Sequence, residues 1–128
     1  MAGIPATVVD CIKGAKQVAH LGTAFDDKPH VAPLWYRYAD GTVEIATTGQ
    51  KLANLRRNPR VALSIQSAED GMPEWRVLLR GTATVETDEQ ASRQGKRRIH
   101  EKYGVDPDAF PENVLVRIEV GSASYQTF

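Results

Sequence analysis

Apolar and polar residues alternate with period two over most of this chain, and that pattern predicts strands as the dominant element. Residues 17–25, 30–38 and 42–47 read as three strands, joined into hairpins by the turn chemistry of Asp26-Asp27-Lys28-Pro29 and of Asp40-Gly41. In Val43-Glu44-Ile45 and Val61-Ala62-Leu63-Ser64-Ile65 large apolar side chains alternate with smaller or polar ones, as a sheet with one buried face requires. Asp70-Gly71 and Pro73 mark a further turn. Beyond it Trp75, Val77, Leu79, Gly81, Ala83 and Val85 share one face of a long strand that can bend at Gly81, and Val114, Val116, Ile118 and Val120 line a last strand.

Three segments carry the helical period instead. Val8, Val9 and Ile12 form a short stripe with Pro5 in the first turn and Gly14 to end it. Residues 47–60 hold good helix formers between a Thr/Gly start and the stop at Asn58-Pro59. Thr87 or Asp88 can cap a polar helix that runs to Tyr103 and ends at Gly104. Its apolar stripe is thin and Gly95 weakens its middle by about 1 kcal/mol relative to Ala, so it is expected on the surface. Six mostly antiparallel strands with a few short peripheral helices predict a mainly β fold, a small closed or partly open barrel in a single domain over residues 1–128. So small a barrel is filled by its own side chains, and a ligand larger than water must bind outside it, in a groove or between subunits.

With 128 residues there is no room for a dinucleotide-binding domain beside a substrate domain. Sixteen Lys and Arg balance sixteen Asp and Glu, so no global charge draws the chain to nucleic acid or acidic membranes, and aromatic residues are not interleaved with the basic runs at Arg56-Arg57 and Lys96-Arg97-Arg98. A single cysteine, Cys11, and no apparent leader segment predict a cytoplasmic protein, and no stretch approaches the roughly 20 apolar residues of a membrane span. His20, His30, His100 and Cys11 lack metal-ligand spacing, so no metal site is expected. Rossmann, P-loop and nucleophile-elbow motifs are all absent, and no residue is singled out as catalytic.

Local chemistry is concentrated between residues 47 and 60. Thr47 and Thr48 supply hydroxyls, Gly49 allows close approach, and a helix amino terminus with Lys51 beside it stabilises an anion, so the segment suits a phosphate. Arg56 and Arg57 extend the positive charge towards an acidic tail. The same residues equally describe a surface helix with a capping Thr and solvated arginines.

Four segments in order resemble the pyridoxamine 5'-phosphate oxidase-like split β-barrel family, whose members use FMN or the deazaflavin F420. These are Leu21-Gly22-Thr23, the run Lys28-Pro29-His30-Val31-Ala32-Pro33-Leu34-Trp35-Tyr36, the run from Gly49 through Asn54-Leu55-Arg56-Arg57-Asn58-Pro59-Arg60 to Leu63, and Arg80-Gly81-Thr82-Ala83-Thr84-Val85. The resemblance implies a six-stranded antiparallel split β-barrel of Greek-key type that forms a homodimer. It places the cofactor in a groove between subunits, with its phosphate on Lys51, hydroxyl or backbone contacts from Thr47 and Thr48 beside Gly49, and its ring along Pro33, Leu34, Trp35 and Tyr36 and the strand from Ile45 to Thr48. Arg76 falls where relatives touch the cofactor, and Arg56 and Arg57 would suit the oligoglutamate tail of F420. Trp35 either stacks on the ring or fills a subunit interface as an amphipathic aromatic.

The chain stops at Phe128 without the Arg-rich carboxyl-terminal segment through which pyridoxamine 5'-phosphate oxidase itself binds substrate, so vitamin B6 oxidation is not the expected activity. The expectation is an oxidoreductase with FMN, or alternatively F420, passing a hydride to or from a small organic substrate. The alternative is a non-catalytic module of the same fold that carries a flavin, F420 or haem. His30, Tyr36 and Tyr38 share a strand face as candidate proton donors or ring contacts, against a structural role for each.

Overall fold

The computed structural model describes residues 4–128. Helix α1 (Ala6–Ile12) precedes β1 (Ala19–Phe25), β2 (Lys28–Leu34), β3 (Arg37–Ala39) and β4 (Thr42–Thr47), and α2 (Gly49–Arg57) leads into β5 (Arg60–Glu69) and β6 (Met72–Val85). Helix α3 (Glu89–Tyr103) and β7 (Val114–Thr127) complete the chain. All seven strands belong to one antiparallel sheet in the order β2-β1-β5-β6-β7-β4-β3, curled as a split barrel whose end strands β2 and β3 do not pair with each other. No described helix is long and apolar enough to cross a membrane.

Hairpin geometry follows from the Asp-rich turns. Asp26 and Asp27, Asp40 and Gly41, and Asp70 and Gly71 all have positive φ at both central positions, as type I′ turns require. Alternate side chains then meet inside the curl, where Leu21, Val43, Ile45, Leu63, Ile65, Val77, Leu79, Val116 and Ile118 are almost wholly buried. Helix α1 adds Val8 and Ile12 to the same core. The interior is therefore solid, as the barrel's size predicts.

The strand count is seven where the sequence pattern predicts six. Residues 30–38 read as one strand but break at Trp35-Tyr36 into β2 and β3. Tyr36 turns fully into the core, and its hydroxyl donates to the Ile12 carbonyl at 2.7 Å, which draws the chain across from the β1 side of the sheet to the β4 side. The last strand runs on to Thr127 and pairs with β6 as far as Trp75, past a register shift where Gly81 faces Val120 and Arg80 faces Ser122. A Cβ at Gly81 would overlap the Glu119 carbonyl, so the bend expected there depends on glycine.

Helix α3 also departs from expectation. Its ends match the sequence reading: Asp88 accepts from the Ala91 amide at 3.0 Å, and Gly104, at φ 69°, closes the carboxyl end. Yet it is not a simple surface helix, because Ser92, Gly95, Ile99 and His100 are buried against the outer face of β4 and β7. A methyl group at Gly95 would overlap the Leu115 side chain, so the missing Cβ sets how closely the helix sits. Ser92 Oγ accepts from the Leu115 amide at 3.0 Å, and the buried Glu44 receives Arg98 of α3 at 2.9 Å and Arg37 of β3 at 3.0 Å. The stripe is thin because small and polar residues, not large apolar ones, form the contact.

Gly95→Ala is accordingly expected to destabilise the protein by about 1–3 kcal/mol, although an exposed helix position would gain about 1 kcal/mol from the same change. Urea unfolding measures the sign directly.

Candidate functional site

The segment read as an anion site opens outward. Thr48 is extended and exposed at the N-cap of α2, Gly49 is exposed with φ 70°, and no acidic residue occupies the first helical turn. No side chain caps the helix, so its first amides are left to solvent or a ligand. Lys51 is half-buried beside them and forms no ion pair among the described residues. Thr47, by contrast, is buried, with its hydroxyl directed at the Thr48 carbonyl at 3.5 Å. Asn54 anchors the helix from below: it is buried, donates to Thr23 Oγ1 at 3.1 Å and accepts from Gln50 at 2.8 Å.

Two residues back along β4, Ala46 lines a cavity of about 270 Å³ shared with Pro33, Leu34 and Trp35 at the end of β2, His100 of α3 and Phe110 of the α3–β7 loop. At roughly 3.3 Å per strand residue, Ala46 lies about 7 Å along the strand from the α2 cap. The structure thus joins Pro33, Leu34 and Trp35 to Ala46, two residues ahead of Thr48, while α2 itself is anchored further along β1 at Thr23 and Ala24. Trp35 stacks on Tyr103 with centroids 5.3 Å apart and meets His100 and Phe110 edge-on at 6.1 and 6.0 Å.

The three expected arginines diverge. Arg56 faces a larger, polar groove of about 820 Å³ beside the start of α3, where Arg93 and Lys96 also lie. Arg57 sits over the Phe25 ring at 4.8 Å. Arg76 lies at the far end of β6, donating to Gln126 at 2.6 Å, roughly 30 Å along the strand from Val85, so this subunit does not bring it to Lys51. Among the candidate proton donors, Tyr36 is a core residue and Tyr38 accepts from the Gly41 amide at 3.0 Å, which gives both structural roles. His30 Nδ1 is buried without a partner. No cluster of three metal-ligating side chains exists among the described residues.

His100 and Phe110 were invisible as site residues in the sequence because they join Trp35 only through the docking of α3. Asp106-Pro107 and Phe110-Pro111 signal a loop there, but nothing local says which way Phe110 faces.

The wall behind Trp35 holds an unusual charge arrangement. Lys102 donates to the Tyr36 carbonyl at 2.9 Å and lies over the Tyr36 ring at 3.7 Å. Burial, aided by the neighbouring Arg37, lowers its pKa to about 8. Burial also raises Tyr36 and Tyr103 above the ordinary tyrosine value, in Tyr103 against the opposing hydrogen bond from the Tyr36 amide. Between about 8 and the ordinary lysine value of 10.5 the unfolded chain holds a proton that folded Lys102 releases, so stability rises with pH there. Above about 10 the unfolded tyrosines lose protons that the folded ones keep, so stability falls. Thermal unfolding across this range is expected to show a maximum near pH 10 from these groups, and Lys102→Met is expected to remove its rising limb.

The sequence profile of the family described as pyridoxamine 5'-phosphate oxidase matches residues 4–127. No curated protein matches the chain. Among solved structures, a FAD-binding protein from Mesorhizobium loti is 25% identical over 95% of this chain and 94% of that one, with a TM-score of 0.75. An F420 reductase is 20% identical over 90% and 94%, with a TM-score of 0.74. A conserved hypothetical protein from Mycobacterium tuberculosis is 22% identical over 98% and 86%, with a TM-score of 0.79. At 20% and 22% identity the last two likenesses are likenesses of fold.

Proposed function

The chain belongs to the pyridoxamine 5'-phosphate oxidase family, and from that premise we propose that it is an oxidoreductase using bound FMN, or alternatively F420, to pass a hydride to or from a small organic substrate. The observation that carries this reading is the open amino end of α2, with uncapped amides, Gly49 and a Lys51 that forms no ion pair among the described residues, which follows directly on Ala46 in the apolar cavity wall it shares with Pro33 and Leu34. A phosphate fits the first part, because amides and a free ammonium hold an anion with no carboxylate to repel it. A planar ring fits the second. The FAD-binding protein and the F420 reductase among the similar structures support this choice of cofactor class.

When bound, the flavin or deazaflavin ring supplies the hydride chemistry. This chain's residues do the rest. Lys51 and the α2 amides anchor the phosphate, Thr48 adds a hydroxyl at the cap, and the end of β2 orients the ring and shields it from water. Lys51→Ala is expected to weaken FMN and F420 binding about tenfold or more, in keeping with a charge-assisted contact of roughly 1.5–3 kcal/mol, while leaving the melting temperature unchanged. Titration of both cofactors into both proteins checks this, and equal dissociation constants would remove the phosphate from Lys51. Steady oxidation of F420H2 or NAD(P)H by the loaded protein distinguishes an enzyme from a carrier.

The working unit in this reading is a homodimer. Across the outer face of β2, β1, β5, β6 and β7 the registered rows are Val31-Gly22-Ala62-Arg80-Ser122 and Pro33-His20-Ser64-Leu78-Ser124, mostly small side chains with Val31 and Leu78 standing exposed. A flat face of this kind suits a second copy, and Arg76, on the same face, would then reach a site from the partner. Light scattering is expected to return twice the monomer mass, and Leu78→Asp to return the monomer.

A further inference from the structure

We propose that residues 86–113, helix α3 with the loop that follows it, form a lid that opens from the outer face of the sheet as one unit while the barrel stays folded, and that the Arg98–Glu44 ion pair is its latch. Opening parts Ile99, His100 and Phe110 from Trp35 and Ala46, and so exposes the outer face of β4 and β7 to solvent and to ligands. The proposal goes beyond the cofactor reading and does not depend on it.

Topology makes this opening possible without loss of strand pairing. Strands β6 and β7 are neighbours, and Val85 is registered with Val116, so the segment between them leaves the sheet and returns to it at the same place. At that root the Glu86 amide donates to the Leu115 carbonyl at 2.9 Å, and Glu86 pairs with Arg117. Every strand keeps its partners when the segment lifts.

The segment is also tied to itself. Lys96 Nζ donates to the Asn113 carbonyl at 2.9 Å and reaches those of Pro111 and Phe110 at 3.4 and 3.5 Å. Arg97 pairs with Asp108 at 2.9 Å, and His100 Nδ1 lies 3.0 Å from the Pro107 carbonyl. The loop therefore travels with the helix.

Its ties to the barrel are of a different kind. Ile99 and Leu115 are buried, but neither belongs to the apolar cluster inside the curl. Beyond them and the stacking of Trp35 on Tyr103, the attachment is polar: Ser92 Oγ to the Leu115 amide, Arg98 to Glu44, Lys102 to the Tyr36 carbonyl and the Tyr103 hydroxyl to the Gln17 carbonyl, all at 2.7 to 3.0 Å. Water replaces a polar partner when the helix lifts, as it cannot for a buried apolar face, so this segment opens more cheaply than the sheet. Arg98 is the member of the Glu44 group that the lid carries away. Its side chain is 41% exposed, and Glu44 keeps Arg37 at 3.0 Å and Arg117 at 3.6 Å, so opening leaves no buried charge without a partner.

The test is residue-resolved hydrogen exchange on the full chain without ligand, in the wild type, in Ile65→Val and in Arg98→Met. The α3 amides are expected to share one opening and to exchange about tenfold or more faster than the slowest amides of β5 and β6. The Leu115 amide is the diagnostic site, because it lies in β7 but donates to Ser92 Oγ, and it is expected to exchange with the helix. Ile65 is wholly buried in the core, which stays intact with the lid open or closed. Ile65→Val is therefore expected to speed exchange of the slowest sheet amides about threefold or more and to leave α3 and Leu115 unchanged. Arg98→Met, which destabilises only the closed state, is expected to speed α3 and Leu115 about threefold to fivefold, the worth of a half-exposed ion pair. Exchange of α3 and Leu115 no faster than the slowest sheet amides, or their acceleration in step with the sheet in Ile65→Val, would overturn the lid whether or not Arg98→Met folds. Unchanged α3 exchange in Arg98→Met would overturn the latch. Failure of FMN and F420 to bind would count against the cofactor reading and leave these outcomes as they are.

Discussion

The close seating of α3 on the outside of the sheet is the constraint on which the candidate site depends. Gly95 lies where any side chain would collide with Leu115, and only at that separation does Ser92 reach the Leu115 amide and Arg98 reach the carboxylate of Glu44. Glu44 is buried and also faces Arg37 and Arg117, so one carboxylate ties β3, β4, α3 and β7 together. A buried carboxylate costs several kcal/mol in desolvation unless its partners hold it, which makes this junction specific as well as adhesive. Lift the helix and both the charge network and the wall containing His100 and Tyr103 go with it.

This explains the uneven legibility of the sequence. Features with local causes were readable: the Asp26-Asp27, Asp40-Gly41 and Asp70-Gly71 turns, the cap at Asp88 and the stop at Gly104 each express a conformational preference within a few residues. Features caused by tertiary packing were not. The run through Trp35-Tyr36 contains Pro33, but the chain stays in β2 past it, and its division into two strands comes from the attraction of the core for the Tyr36 ring and of the Ile12 carbonyl for its hydroxyl. Gly95 read as a weakness in a surface helix because a missing side chain registers as propensity in one dimension and as proximity only in three.

The candidate site divides along the same line. The α2 anion end was legible because threonines, a glycine and a lysine act through the backbone amides next to them, and the fold leaves that turn open as the motif requires. The cavity was not, since Trp35, His100 and Phe110 are far apart in sequence and meet through the route of α3 and its following loop. The three arginines show how far motif reading extends: Arg56 and Arg57 are neighbours in the chain, but the helix turns one to the polar groove and the other to Phe25.

A barrel with no interior space has to build its ligand sites from additions to its surface, and each addition here contributes a different physical element. The strand-to-helix junction at Thr48 contributes aligned amides without a competing acid. The edge strand β2, with Pro29 and Pro33, contributes a backbone that has no amide to donate at those positions, which leaves it apolar and blunt towards further strand pairing. Helix α3 contributes aromatic rings and one histidine whose tautomer is fixed by a carbonyl. None of the three is demanding in isolation, but they become contiguous because β4 joins them: Ala46 and Thr47 continue directly into Thr48, so the strand that lies under α3 is also the strand that opens α2. Changing the reach of the cavity without disturbing the anion end therefore falls to the α3–β7 loop, which brings Phe110 to the wall and is not part of β4.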